Sequence, residues 1–157
     1  MQQFTLSEAA AWTGGTCTAD PVITSVVRDA REAGPGSLFV AIKGHRKDET
    51  YSIPALYVED TRQGLLDLAG GYRAQFDCPV VAVTGSVGKT TTKEMIASVL
   101  SERYDTLKTQ GNLNNTIGMP LTALCMDEKT EAAVFEMGMS AFGEIAAMAA
   151  CGQPNIA

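Results

Sequence analysis

The stretch Val83-Thr84-Gly85-Ser86-Val87-Gly88-Lys89-Thr90-Thr91 decides the fold, because it joins an apolar run to a helix through two glycines. Backbone N–H groups approach phosphate oxygens closely where side chains are missing, and a helix N-terminus adds unpaired donors and a positive dipole end. The Lys89 ammonium suits the β- and γ-phosphates of a nucleotide, and the Thr90 hydroxyl suits a phosphate-bound magnesium ion. The predicted nucleotide-binding residues of this loop are Gly85, Ser86, Val87, Gly88, Lys89, Thr90 and Thr91.

The spacing within this loop departs from the general P-loop pattern. That pattern has four residues between its glycines, whereas only Ser86 and Val87 stand between them here. An ordinary strand-turn-helix junction could also contain such a glycine pair. The flanking sequence favours the phosphate site, since residues 79–83 are typical of a buried parallel strand and residues 89–102 of a helix. The apolar stripe predicted for that helix consists of Met95, Ile96, Val99 and Leu100.

The composition limits the class of protein. A chain of 157 residues fits one domain or two small ones. Its net charge of -6 argues against a nucleic-acid surface. Without a signal-like N-terminus or an apolar run near the roughly 18 residues that span a bilayer, we expect a cytoplasmic protein without membrane insertion. The cysteines show no paired spacing, so we expect reduced, mostly buried thiols at Cys17, Cys78, Cys125 and Cys151.

The hydrophobic pattern predicts an α/β protein. We place a small mixed α/β N-terminal domain at residues 1–77 and a P-loop parallel sheet flanked by helices at residues 78–157. In the second unit, strands and helices alternate, which implies right-handed crossovers and ligands at the carboxyl ends of the strands. The strands are predicted at 79–83, 106–109, 131–137 and from 154, and the helices at 89–102, 119–126 and 143–151. The first unit is predicted to contain a helix capped by Thr5 or Ser7, strands at 22–27, 37–42 and 54–59, a charged loop at 43–52 and a helix at 61–76.

Polar residues follow two of the predicted parallel strands. Asn114 and Asn115 lie in an amide-rich segment, and they either hydrogen-bond phosphate or only form turns. Glu136 ends an apolar run, where a carboxylate needs a partner. That partner is either magnesium, with Thr90 as second protein ligand, or a structural ion pair with Lys89 or Arg103. Lys93 and Glu94 are predicted to lie on the solvated face of the phosphate-loop helix.

These residues resemble the Mur ligases, the ATP-dependent amide-forming enzymes of bacterial peptidoglycan synthesis. The family's shortened phosphate loop accounts for the glycine spacing described above. Within the family, the chain is most similar to the branch that joins D-alanyl-D-alanine to a UDP-N-acetylmuramoyl-tripeptide. The matching blocks are Thr84 to Thr90 with Lys93-Glu94, Gly111 to Asn115 with Ile117 to Pro120, and Glu136 to Ser140.

The resemblance implies a mechanism and a set of roles. The γ-phosphoryl group of ATP passes to the tripeptide carboxylate, and the amine of D-alanyl-D-alanine attacks the resulting acyl phosphate. Lys89 is then the catalytic residue that neutralises the transferring group, while Thr90 and Glu136 hold Mg²⁺. Asn114 or Asn115 helps to hold the phosphates. Such catalysis consists of positioning and electrostatics.

The resemblance is looser at the N-terminus and incomplete at the C-terminus. Asp29-Ala30-Arg31 with Pro35 to Ala41 is similar to the family's UDP-binding signature, but Ala30 stands where the family usually has serine. The family's central domain continues past Ala157 and is followed by a third domain. We therefore expect an incomplete central ATPase domain and a fragment that does not ligate alone. The alternatives are another ligase of the same fold, such as the folylpolyglutamate type, or a non-catalytic P-loop nucleotide-binding module.

Overall fold

The computed structural model describes residues 1–27, 30–40 and 55–157. The predicted charged loop at 43–52, Asp29 of the N-terminal signature and parts of the strands predicted at 37–42 and 54–59 lie outside these residues. In chain order the elements are β1 (Phe4–Thr5), α1 (Leu6–Thr13), β2 (Thr16–Cys17), β3 (Val22–Ile23), β4 (Ser25–Val27), a 3₁₀ turn (Ala30–Glu32), β5 (Ser37–Phe39), β6 (Leu56–Tyr57), α2 (Thr61–Arg73), β7 (Val80–Val83), α3 (Lys89–Ser101), β8 (Thr106–Lys108), α4 (Gly118–Ala123), β9 (Ala132–Glu136) and α5 (Glu144–Gly152).

A parallel sheet in the order β8-β9-β7 organises the second half of the chain. Val81 of β7 also bridges Ile156 in parallel, so the chain after α5 returns to the free edge of β7. Each connection between these strands contains a helix, as parallel pairing requires. The predicted parallel sheet with flanking helices is therefore confirmed.

Alternating side chains of β7 bury both faces of this sheet. Val80 and Ala82 belong to the main hydrophobic core, which also contains residues of α2, α4 and α5. Val83 packs with Ala97 of α3 and Val134 of β9 on the opposite face. The central strand β9 is buried along its whole length. Strands covered on both faces read as continuous apolar runs, which is why the sequence identified them.

Helix α2 connects the two halves of the molecule. It contacts α1 and also α4 and α5, and its buried side chains join one continuous core that extends from Phe4 to Cys151. The Tyr72 ring packs near Phe4 and Phe76, with ring centroids 5.7 and 5.2 Å away. Its hydroxyl donates to the Met126 carbonyl and accepts from the Gln2 amide. The division into two domains near residue 77 stays a prediction.

Short strand pairs and one helix form the N-terminal half. Thr5, rather than Ser7, caps α1 in a reciprocal capping box with Glu8, and Gly14 ends the helix with a left-handed backbone. Strand β1 pairs antiparallel with β3, β2 pairs antiparallel with β6, and β4 pairs parallel with β5. These strands have two or three residues each, so they are shorter than predicted.

The apolar stripe predicted for α3 is wrong at two positions. Met95 is 66% exposed and Val99 is 73% exposed. Lys93 and Ala97, four residues apart, are the buried residues of this helix. The buried face of α3 is thus rotated away from the predicted stripe, because a lysine occupies the position that periodicity would assign to an apolar residue.

Two further sequence expectations concern membrane spans and cysteines. Within the described ranges, no helix combines the length and apolar character needed to cross a bilayer. All four thiols are free, as expected, but only Cys151 is buried and Cys125 is exposed. The expectation of mostly buried thiols is therefore wrong.

Replacing Tyr72 with Phe should lower the free energy of unfolding by about 1 to 2 kcal/mol at neutral pH, because the buried bond to the Met126 carbonyl and the part-buried bond from the Gln2 amide are both lost. Burial raises the pKa of Tyr72 to about 12 from its ordinary value of 10.0. Ionisation of the unfolded chain therefore removes stability from about pH 10 up to about pH 12. Urea unfolding measures this effect: between these pH values the free energy of unfolding should fall less steeply in the variant than in the parent chain.

The matched control is Tyr57→Phe, since Tyr57 is 61% exposed. Its unfolding free energy should stay within about 0.5 kcal/mol of the parent value. Equal stability of the two variants would contradict the central role of Tyr72 in the core.

Candidate functional site

The loop between β7 and α3 has an open backbone at its two glycines. Gly85 has a φ of 143° and Gly88 a φ of 78°, both in the region that favours glycine. Gly88 is also the N-cap residue of α3, and no described side chain caps the helix there. The first amides of α3 therefore lack intrahelical acceptors and point into the loop. This is the donor arrangement that binds phosphate.

Lys89 closes this loop on itself. Its Nζ donates to the Gly85 carbonyl oxygen over 2.7 Å, so the ammonium lies across the loop. Ser86 and Val87 are exposed at the tip, and Thr90 and Thr91 are exposed on the first turn of α3. The seven predicted loop residues thus form one continuous and largely exposed segment that ends β7 and begins α3.

Glu136 is a buried carboxylate next to this loop. It ends β9 and is 1% exposed. The Thr90 hydroxyl donates to its Oε1 over 3.2 Å, and the Asn114 amide donates to the same oxygen over 2.7 Å. Its Oε2 has no hydrogen-bond partner among the described residues. One carboxylate oxygen is therefore saturated, and the other has unused lone pairs.

The ion pair of Glu136 is made by Lys93, not by the predicted Lys89 or Arg103. Lys93 Nζ lies 3.6 Å from Glu136 Oε2 and donates to the Thr109 carbonyl oxygen over 2.8 Å. The Lys93 side chain is 0% exposed, so its predicted place on a solvated face is wrong. Glu94, by contrast, is about half exposed and pairs with both Lys93 and Lys108. Those two contacts, with Lys108 first, lower the pKa of the Glu94 carboxyl.

Sequence reasoning also missed Thr109, which is fully buried at the end of β8. Its hydroxyl oxygen accepts the Glu136 backbone N–H over 3.0 Å, while its carbonyl accepts from Lys93. One sequence signal could have identified Lys93: it lies three residues after Thr90 and four after Lys89, so it shares a helix face with both. Thr109 opens the segment of amides and hydroxyls after the second predicted strand, but nothing in that pattern indicated its bonds to Glu136 and Lys93.

The two predicted amides have different surroundings. The Asn115 side-chain oxygen accepts from the backbone N–H groups of Ile117 and Gly118 over 3.1 and 2.8 Å, so it organises the turn into α4. Asn114 instead points its side-chain amide at Glu136, and its backbone carbonyl oxygen accepts from the Gly138 N–H over 2.7 Å. Turn chemistry is therefore present at Asn115. A phosphate contact by either residue stays a prediction.

The residues present fit a magnesium ion. Mg²⁺ takes one or two carboxylates and completes its shell with water and phosphate oxygens. Glu136 Oε2, which accepts no hydrogen bond, and the adjacent Thr90 hydroxyl are oxygen ligands of that kind. Across the described ranges, no group of three or more His, Cys, Asp or Glu side chains could hold a metal ion. A metal here would therefore depend on oxygens that a bound nucleotide supplies.

The loop that follows Glu136 is anchored by a second carboxylate. Glu144, in the first turn of α5, accepts from the backbone N–H groups of Ser140 and Ala141 over 2.7 and 3.0 Å. These bonds lower the pKa of the Glu144 carboxyl. The loop after β9 is thus held at Gly138 by Asn114 and at Ser140 by Glu144.

Comparison with known proteins relates this site to one family. Residues 83–157 match the Mur ligase middle domain. The UDP-N-acetylmuramoyl-tripeptide--D-alanyl-D-alanine ligase of Bacillus subtilis is 41% identical over 87% of the chain, and that of Escherichia coli is 39% identical over 88%. The chain spans 35% of the length of both relatives.

Solved structures give the same result. A crystal structure of MurF from Acinetobacter baumannii has a TM-score of 0.90 and 33% identity, covering 98% of this chain and 40% of that one. MurF ligase from Thermotoga maritima in complex with ADP has a TM-score of 0.74 and 32% identity, covering 83% of this chain and 35% of that one.

Replacing Thr109 with Val should destabilise the chain by about 1 to 3 kcal/mol, because the buried Glu136 amide loses its acceptor. Urea unfolding followed by circular dichroism measures the change. The control is Thr106→Val in the same strand, where the hydroxyl donates to an exposed Tyr104 carbonyl that water can satisfy. A Thr109→Val chain as stable as the Thr106→Val chain would contradict this account of the buried network.

Proposed function

Because this chain belongs to the Mur ligase family, we propose that its phosphate loop binds ATP for joining D-alanyl-D-alanine to a UDP-N-acetylmuramoyl-tripeptide. The single observation that carries the proposal is the buried Glu136 carboxylate beside Thr90, whose Oε2 accepts no hydrogen bond. Lys93 balances the charge from 3.6 Å, but the lone pairs of Oε2 stay open to a coordinating cation. A magnesium–nucleotide complex at the phosphate loop provides that cation.

The residues of this chain would act by holding and neutralising the phosphates. The amides at the start of α3 donate to phosphate oxygens, and Lys89 exchanges its bond to the Gly85 carbonyl for one to the β- and γ-phosphates. Thr90 and Glu136 hold Mg²⁺, which supplies charge neutralisation on the phosphate oxygens. Asn114 keeps Glu136 in place by donating to Oε1. Lys89 is thus the proposed catalytic residue.

The substrates and the domain roles belong to the same proposal. The γ-phosphoryl group of ATP is transferred to the tripeptide carboxylate, giving ADP and an acyl phosphate. Attack by the D-alanyl-D-alanine amine then forms the amide and releases phosphate. We assign residues 1–77 to UDP-substrate binding and residues 78–157 to ATP binding. The names of the relatives support these substrates, and a UDP-linked precursor agrees with a cytoplasmic location.

Substitutions in the loop should separate phosphate binding from magnesium binding. Lys89→Met should weaken ADP binding by about tenfold or more both with and without Mg²⁺, because a charge-assisted contact is lost. Thr90→Val should leave ADP binding without Mg²⁺ unchanged and remove the gain that Mg²⁺ produces. Isothermal titration calorimetry of ADP in EDTA and in Mg²⁺ measures both effects.

Thr92→Val is the matched control, since Thr92 is exposed one turn from the loop. It should bind ADP like the parent chain. Loss of the Mg²⁺-dependent gain in this control, or its persistence in Thr90→Val, would contradict the assignment of Thr90.

Substrate titration separates this proposal from its alternatives. The parent chain should bind a UDP-N-acetylmuramoyl-tripeptide in preference to a folylpolyglutamate. A nucleotide-binding module without ligase chemistry would bind ADP and ignore both compounds. Fluorescence anisotropy of labelled ligands, with each unlabelled compound as competitor, distinguishes the three cases.

A further inference from the structure

The Lys93 ammonium is a fixed charge inside the candidate site. Its side chain is fully buried, and its Nζ donates over 2.8 Å to a backbone carbonyl of Thr109, which is itself buried. Thr109 directly follows β8, and its own N–H donates to the Val134 carbonyl of β9 over 3.0 Å, so this acceptor is tied to the sheet. The position of the positive charge, 3.6 Å from Glu136 Oε2, is therefore set by the fold.

The charges around this lysine balance. Lys93 pairs with Glu136 on one side and with Glu94 on the other, 3.1 Å from its Oε1. Glu94 in turn pairs with Lys108. Two carboxylates thus face two ammonium groups in one connected row. A divalent cation approaching Glu136 without phosphate meets a neutral network and a nearby positive charge.

Bound phosphate changes this balance. The loop of Gly85 to Thr90 adjoins Glu136 Oε1 through the Thr90 hydroxyl, whereas Lys93 lies next to Oε2. A polyphosphate in the loop therefore adds negative charge close to this ion pair. A divalent cation can then bind phosphate oxygens and the Glu136 carboxylate at the same time, and the added negative charge favours its binding. The carboxylate Oε2 that lacks a hydrogen bond is ready to accept it.

Resting on the proposed function, we propose that Lys93 is the resident counter-ion of Glu136, which makes the site take up a divalent cation only together with nucleotide phosphates. Lys93 is a positioning residue in this role, since it acts through Glu136. In the nucleotide-free chain it occupies the electrostatic place of the metal. Removal of its charge should therefore raise the affinity of the empty site for metal.

The experiment titrates Mn²⁺, which takes the same oxygen ligands as Mg²⁺, into the nucleotide-free 157-residue chain. Electron paramagnetic resonance of free Mn²⁺ reports binding. Lys93→Gln keeps a donor for the Thr109 carbonyl but removes the charge, and it should bind Mn²⁺ about tenfold or more tightly than the parent chain. Mn²⁺ should also raise the melting temperature of this variant and not that of the parent chain.

Two controls separate charge from structure. Lys93→Arg keeps the charge, and Lys108→Gln removes an equal charge that contacts Glu94 instead of Glu136. Both should bind Mn²⁺ as weakly as the parent chain. The double variant Lys93→Gln with Glu136→Gln should lose the gained affinity, which places the metal at Glu136.

Unchanged Mn²⁺ affinity in Lys93→Gln overturns the proposal. The parent chain provides a test that needs no folded variant: nucleotide-free Mn²⁺ binding as tight as binding in the presence of ADP, and lost in Glu136→Gln, also overturns it. Failure of the proposed function has a different signature, since ADP itself would then fail to bind the parent chain in the calorimetric titration, with or without the metal.

Discussion

The buried carboxylate of Glu136 constrains every element around it. Burying an ionised carboxylate costs free energy on the order of several kcal/mol unless hydrogen bonds and an opposite charge surround it. Here those groups come from two segments: Thr90 and Lys93 on α3, and Asn114 in the loop after β8. Thr109, directly after β8, fixes the same residue by accepting its backbone N–H. The ends of the parallel strands must therefore meet in one arrangement for the charge to be satisfied.

This requirement explains the unusual face of α3. The helix presents Thr90 and Lys93, three residues apart, to the end of β9. Ala97 continues that face against Val134. Met95 and Val99 consequently point away from the sheet and stay exposed. The helix is oriented by its contacts with a carboxylate at one end and with small apolar side chains further along, and not by its most apolar side.

The surroundings of Glu136 also show which features sequence patterns could predict and which they could not. Apolar runs predicted the order of strands and helices and the loop between β7 and α3, since the strands are buried on both faces. They also singled out Glu136 as a carboxylate at the end of such a run. Lys93 did not follow, because periodicity rules assign a lysine to the solvated side of a helix. Its partner is set by strand order, which brings β8 and β9 together. The two-residue strands of the N-terminal half carry too short a pattern to locate, and Asn115 could not be told from Asn114 without the backbone of the turn into α4.

Lys89 and Lys93 lie one helical turn apart, but the hydrogen bond of Lys89 can be exchanged and that of Lys93 is buried. Lys89 donates to a carbonyl of its own loop, on the accessible side of the site, so a phosphate oxygen can replace that acceptor without disturbing the sheet. Lys93 donates to the carbonyl of the buried Thr109, directly after β8, so its release would leave that carbonyl without its partner and Glu136 without a counter-charge. One charge is therefore available to follow a phosphoryl group, while the other holds the carboxylate in position.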